Sequence, residues 1–374
     1  MTGRTPGPAV LGTRELGRAL LARQHLLERS AMPPAAMIGH LLGLQAQAAP
    51  QPPYLGLWSR LDGFAHGQLT ELIERREVVR IALQRGTIHL VTADDCLTLR
   101  PLLQPVLDRA LRTGYGKRLT GLDLDALTRE GRALVEEQPR TFQQLGTLLG
   151  ESRPGRDQAA MAQALRCRLP LVQVPPRGIW DRGGPAAHTT AEHWLGRSLD
   201  PAPALAGTVL RYLAAFGPAT AADVQKWCGL TRIAPVLAGL APQLATFRDE
   251  RGKVLYDLPD APRPGAGAPA PVRLLAPFDN LLLSHADRSR ILPEEYRSRV
   301  MTVNGLIPGT LLVDGLVAGS WELTTGPAGR RLVLVRPFAS LARQDRAAAE
   351  AEAGRLLAFA GDDGDVLIEA PDAR

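Results

Sequence analysis

The sequence predicts an α+β protein: tandem winged-helix (helix-turn-helix) units followed by a small β-rich, barrel-like C-terminal domain. Three observations carry this. One pattern, two or three helices and then two short strands joined by an arginine or glycine turn, recurs along residues 12–262. A stretch dominated by Pro, Ala and Gly, DAPRPGAGAPAPVR, interrupts it and reads as a linker. Beyond that stretch the chain turns to strand-like segments.

The pattern is clearest in the middle. Leu205, Val209, Leu213 and Phe216 have helical spacing, and Thr220 caps a short helix carrying Val224 and Trp227. Gly229 breaks that helix, and Thr231 is the expected cap of the next, whose apolar face is Ile233, Val236, Leu237 and Leu240. LATFRDERGKVLYDL reads as a hairpin turning at Arg251-Gly252. Such a unit contains a helix-turn-helix whose second helix can enter a DNA major groove. A preceding unit, 120–190, shows a helix over about 122–137, a helix opened by Thr141, another from Asp157 to Arg168, and a wing in LPLVQVPPRGIWDR. The first, 12–115, sets Leu16, Leu20, Arg23 and Leu27 on one helix and Met37, Ile38, Leu41 and Leu42 on a second. Its wing is VVRIALQRGTIHLV, with one long helix expected from Asp94 to Arg112. The third unit is 191–262, and 272–374 forms the β-rich domain, with Asp314-Gly315 as a hairpin turn and a helix over about 338–360.

At 374 residues several compact units are expected. No apolar run reaches a membrane-spanning length, and the N-terminus lacks a signal-peptide pattern, so a cytoplasmic protein is expected. Cys96, Cys167 and Cys228 lie far apart and suit reduced thiols. The net charge is +6, and only Lys117, Lys226 and Lys253 are lysine among 44 basic residues. An arginine-rich basic chain suits a polyanion, although a GC-rich genome produces the same bias. The seven histidines show no zinc spacing, and no phosphate-binding loop or GxSxG element occurs. Neither metal nor cofactor is therefore expected.

The segment richest in chemical potential is LQAQAAPQPP, containing Gln45 and Gln47. On a helix residues two apart point about 200° away from each other, whereas in an extended stretch they share a face. Two amides that converge on one ligand therefore need the extended form. The prolines favour an extended exit here, yet the residues alone equally allow two glutamines that merely finish a helix.

GLQAQAAPQPPYLGLWSRL and LQRGTIHLVTADD, with RLLAPFDNLLLSHADRSRIL and NGLIPGTLLVDGLVAGSW further on, resemble the HTH_42 family of winged-helix DNA glycosylases over about residues 14–345. One branch of that family, linked to antibiotic self-resistance, carries a glutamine–apolar–glutamine catalytic motif, which Gln45-Ala46-Gln47 matches. A sister branch has aspartate at the second position, where this chain has Gln47. The resemblance implies a glycosylase acting on double-stranded DNA, with Gln45 and Gln47 catalytic.

Glutamine has no ionisation near neutral pH and is no general base; its carbonyl can position water and stabilise positive charge on a sugar. That suffices when the base already leaves well, as N7-alkylguanine and N3-alkyladenine do because they are cationic. The expected activity is monofunctional hydrolysis of cationic alkylated purines, bulky natural-product adducts or interstrand crosslinks included. No lysine lies near the motif for lyase chemistry. The expected protein is a monomer with the motif in an open cleft. Candidate DNA contacts are Arg85, Thr87 and His89 in the first wing, and Arg288 and Arg290 in the C-terminal domain. A hydrogen-bonded structural His89 and an Asp279–Arg288 pair are the competing readings. At the level of the whole chain, a DNA-binding transcriptional regulator or a protein that sequesters a drug competes with the enzyme.

Overall fold

A computed structural model describes residues 9–302, 304–326, 329–361 and 364–371. The chain opens with β1 (Val10–Leu11), α1 (Thr13–Arg23), α2 (Pro34–His40), β2 (Leu44–Gln45), α3 (Gln51–Trp58), α4 (His66–Glu74), β3 (Val78–Ala82) and β4 (Ile88–Thr92). Two helices follow where one was expected, α5 (Ala93–Leu102) and α6 (Gln104–Tyr115). Pro101 and Pro105 flank the break, and each withholds a backbone donor from the helical ladder.

Next come α7 (Leu124–Glu137), α8 (Phe142–Glu151), α9 (Gln158–Arg168), β5 (Leu171–Gln173), β6 (His188–Thr190) and α10 (Ala191–Leu195). Thr141 accepts from the Gln144 amide and Asp157 from the Ala160 amide, so both caps form where the sequence places them. The strands do not stand as two separate wings. They join in one antiparallel sheet of order β2-β4-β3-β5-β6, with Arg80 opposite Gln173 and Ile81 opposite Val172. Sharing pairs the apolar edge of β3, all five residues of which are buried.

The third stretch is α11 (Leu205–Phe216), α12 (Ala221–Cys228), α13 (Ile233–Leu240), β7 (Ala245–Asp249) and β8 (Val254–Asp257). Thr220 and Asp223 form a reciprocal cap on α12, whereas α13 is preceded by Arg232 in a left-handed conformation, so Thr231 is not its cap. Strand β1 adds to β7 in parallel, and α1 lies against this stretch through a buried Arg23–Asp257 pair at 2.6 Å. Residues 260–272 are irregular as expected, yet they are fastened to α1: Arg14 donates to the Ala266 carbonyl and Arg18 to that of Ala268.

The chain ends with β9 (Arg273–Leu275), α14 (Arg297–Val300), β10 (Gly309–Val313), β11 (Leu316–Thr325), β12 (Arg331–Pro337), α15 (Arg343–Ala360) and β13 (Asp365–Ile368). Asp314 and Gly315 both adopt positive φ, the geometry of a tight hairpin turn. The expected barrel does not close. The sheet has the open order β13-β12-β11-β10-β9, with β13 parallel to β12 through α15. Its two faces are both covered, which removes the need for closure. Leu274, Leu311, Val333 and Val335 pack in one core with Trp58, Trp180 and Leu356; Leu275, Leu312 and Val317 pack in another with Leu20, Tyr212 and Trp227. Trp227 and Trp321 are both core residues. Among the described residues no helix is long and apolar enough to cross a membrane.

Candidate active site

The path into the glutamine motif is set by a turn only glycine allows. Helix α2 stops at His40, Leu42 and Gly43 take positive φ, and a Cβ at Gly43 would lie 2.5 Å from Val91 Cγ1. Two buried side chains hold this turn: Asn280 Nδ2 donates to the Gly43 carbonyl at 2.8 Å and Gln84 Nε2 to that of Leu42 at 3.0 Å. The chain emerges extended in β2, at the edge of the five-stranded sheet, with Gln45 directly opposite His89. Ala46 donates its amide to the Ile88 carbonyl at 2.7 Å, and Gln47 Oε1 accepts from the Ile88 amide at 3.2 Å. Gln45 is 7% exposed and Gln47 is exposed. Gln45 thus lies in extended backbone, and Gln47 follows in a bend just past the strand, tied to β4 through its side chain.

Underneath lies Arg80, only 3% exposed, which donates to the Ala46 carbonyl at 2.8 Å and to Gln173 Oε1 at 3.1 Å. Burial, reinforced by the nearby Arg177, pulls its pKa down to about 10, so it stays a cation at neutral pH. Above lies Arg85, whose Nη2 donates to Gln45 Oε1 at 2.7 Å and Nη1 to the Trp227 carbonyl at 2.7 Å. Desolvation lowers its pKa to about 10 as well, and it too remains charged. His89 is 1% exposed and donates from Nδ1 to the Thr87 carbonyl at 3.1 Å. Burial chiefly, with the Arg85 charge adding to it, pushes its pKa down to about 3, so the ring is neutral near pH 7. Thr87 lies half-buried, its hydroxyl donating to the Gln84 carbonyl at 3.0 Å. The wing thus brings Arg85 and His89 to Gln45, and Arg85 spends both terminal nitrogens on protein carbonyls.

The two C-terminal arginines separate. Arg290, 6% exposed, is folded inward with Nη1 donating to the Pro218 carbonyl at 2.9 Å. Arg288 donates only its Nε, to the Leu282 carbonyl at 2.7 Å, and is half-buried. Asp279 does not pair with it: both its oxygens receive Arg60, at 2.7 and 2.8 Å. A cavity of about 870 Å³ between the β7–β8 hairpin and residues 286–297 is lined by Arg251, Lys253, Arg288 and Arg297, but also by Asp249, Glu250, Asp287 and Glu294. A smaller one of about 170 Å³ is lined by Ala49, Pro50 and Gln51, which follow the motif in sequence, and by neither Gln45 nor Gln47. No group of His, Cys, Asp and Glu that could hold a metal is found among the described residues.

The family model for DNA glycosylase AlkZ-like proteins matches residues 38–359, most of the chain. The chain belongs to the AlkZ-like DNA glycosylase family. A curated relative, an interstrand DNA cross-link repair glycosylase of Streptomyces sahachiroi, is 26% identical, with 91% of this chain and 94% of the relative aligned. The solved structure of the Streptomyces sahachiroi DNA glycosylase AlkZ matches with a TM-score of 0.78 at 21% identity, covering 96% of this chain and all of that one.

Sequence reasoning missed two residues of this AlkZ-like site. Arg80 interrupts an otherwise apolar strand, VVRIA, a signal that it serves something specific. Exposed Lys226, in the last turn of α12, forms no salt bridge among the described residues. Partial burial, then the charges of Arg288, Arg85 and Arg297, lower its pKa, so these cations lie near one another, and one of them, Arg85, bonds Gln45. No periodicity in the chain shows that convergence.

Proposed function

We propose that this chain hydrolyses the N-glycosidic bond of cationic alkylated purines in double-stranded DNA, N7-alkylguanine foremost, and leaves an abasic site without cutting the strand. Gln45 and Gln47 are its catalytic residues. One observation carries the substrate class. The charged groups bonded to the motif are Arg80 and Arg85, and the neighbouring His89 is neutral, so no acid stands ready to protonate a departing base. A purine that already carries positive charge needs none. The curated relative's name supports extending the substrate to interstrand crosslinks.

The helix–hairpin units 12–115, 120–190 and 191–262 act as winged helices that grip the duplex, with 272–374 packed between their layers. Arg288 and Lys226 supply phosphate contacts, and the protein works as a monomer. The test is incubation with a duplex holding N7-methylguanine, and with a cross-linked duplex, followed by chromatography of the released bases and a gel for strand breaks. Free alkylguanine with intact strands is expected. Tight binding to one undamaged sequence with no base released from either duplex would instead make the chain a regulator.

A further inference from the structure

A glutamine amide has one accepting end and one donating end, and its neighbours decide which end faces the substrate. A guanidinium only donates. The Gln45 atom 2.7 Å from Arg85 Nη2 is therefore the carbonyl oxygen, and the other end is the NH2 group. That Nε2 makes no hydrogen bond among the described residues and is not one of the unpartnered atoms sealed from solvent. Among the described residues Arg85 has no carboxylate partner, and its side chain bonds only the carbonyls of Gln45 and Trp227. Its backbone is also constrained, at φ 57 and ψ 13, a region that non-glycine residues occupy where the surroundings over-determine it. A bond to Trp227 alone would fasten the wing to α12. The second bond sets the amide.

We infer that Arg85 is a positioning residue that turns the Gln45 carbonyl inward and presents its N–H group to the substrate, so that Gln45 acts as a donor. The inference rests on the proposed glycosylase activity. As the C1′–N9 bond breaks, its electron pair passes to the purine, which goes from cation to neutral base. Density rises at N3, beside N9, where an N–H donor becomes a stronger partner in the transition state than in the ground state. Water oxygen bonds to C1′ and its proton passes to solvent. The Arg85 cation polarises the amide through its oxygen and strengthens the donor end.

The test is single-turnover base release from N7-methylguanine duplex, with duplex affinity and melting temperature followed for each variant. Arg85→Met is expected to slow release by about 100-fold, the scale of a misplaced catalytic group, with affinity within a few-fold. Arg85→Lys, whose single nitrogen cannot span both carbonyls, is expected to be similarly slow while keeping the charge and the melting temperature. In a Gln45→Ala background either change should have no further effect, because Arg85 acts through Gln45. Gln45→Glu, which keeps an acceptor for Arg85 but has no N–H, should be as slow as Gln45→Ala. Multiplying effects of Arg85 and Gln45 variants, or a Gln45→Glu enzyme faster than wild type, would overturn the inference and leave the glycosylase reading intact. A Gln45→Ala enzyme at the wild-type rate would overturn the assignment of the motif, and the inference with it.

Discussion

Replacing Asp279 by Asn removes one charge and almost no volume at the point where the C-terminal segment meets α3. Asp279 receives both terminal nitrogens of Arg60, at 2.7 and 2.8 Å, and the two side chains are essentially sealed from water. The guanidinium also donates to the Gly56 carbonyl and to Gln24 Oε1, so it is too well held to turn outward in the variant. Leaving such a cation without its anion costs about 3 to 5 kcal/mol. Unfolding entropy of about 2.1 cal/mol/K per residue gives about 0.8 kcal/mol/K for a chain of 374 residues. The melting temperature of Asp279→Asn should then fall by about 4 to 6 °C in calorimetry. Replacing both partners, as Arg60→Met with Asp279→Leu, should recover most of the loss because no charge stays buried. A single variant that melts with the wild type, or a double variant no more stable than the single, would refute this reasoning.

Three further outcomes follow from the electrostatics and the motif. Burial holds His89 and His285 down to about 3 and His188 to about 4, against about 6.5 when unfolded, so acid protonates the unfolded chain first. Stability from these rings is complete above pH 6.5 and erodes below it, by up to about 1.4 kcal/mol per pH unit for each ring, until the folded-state values are reached; equal denaturation midpoints at pH 7.5 and 5 would contradict this. Gln47→Asp should keep or raise the rate of base release, since a carboxylate takes a proton from water better than an amide, and a rate as low as that of Gln47→Ala would count against it. Affinity for undamaged duplex should fall steeply with salt, and Lys226→Ala should flatten the slope by about one unit of log affinity per log salt; an unchanged slope would remove Lys226 from the DNA surface.

What the sequence discloses is local. Thr141, Asp157 and Thr220 cap helices through their own side chains, and Asp314-Gly315 turns a hairpin, because each signal acts over a few residues. The cap at Thr231 is displaced to Arg232, and the expected helix from Asp94 to Arg112 is broken by prolines whose effect apolar periodicity hides. The open C-terminal sheet was not legible either, because its closure depends on what covers its faces, and those layers draw on residues scattered from Leu20 to Leu356. In the site, the glutamine motif is visible in the sequence, but the extended placement of Gln45 comes from the Gly43 turn and pairing with β4, while the prolines start helix α3. The Arg85 bond to Gln45 spans 40 residues, and that from Asn280 to Gly43 spans 237. Such contacts depend on how sheets and layers assemble, which spacing along the chain does not encode. Arg290 looked like Arg288 in sequence, and only packing shows that one turns in toward Pro218 while the other keeps its terminal nitrogens uncommitted.

The most direct measurement is single-turnover release of N7-methylguanine from duplex DNA by the wild type and by the Gln45→Ala and Gln47→Ala variants, with binding followed in parallel. On the proposed reading the two amides act on the transition state while Arg288 and Lys226 supply affinity. Wild-type protein should release the base, and each alanine variant should release it far more slowly while binding the duplex within a few-fold of wild type. Both variants releasing base at the wild-type rate would place the chemistry outside the Gln45-Ala46-Gln47 edge and contradict the account.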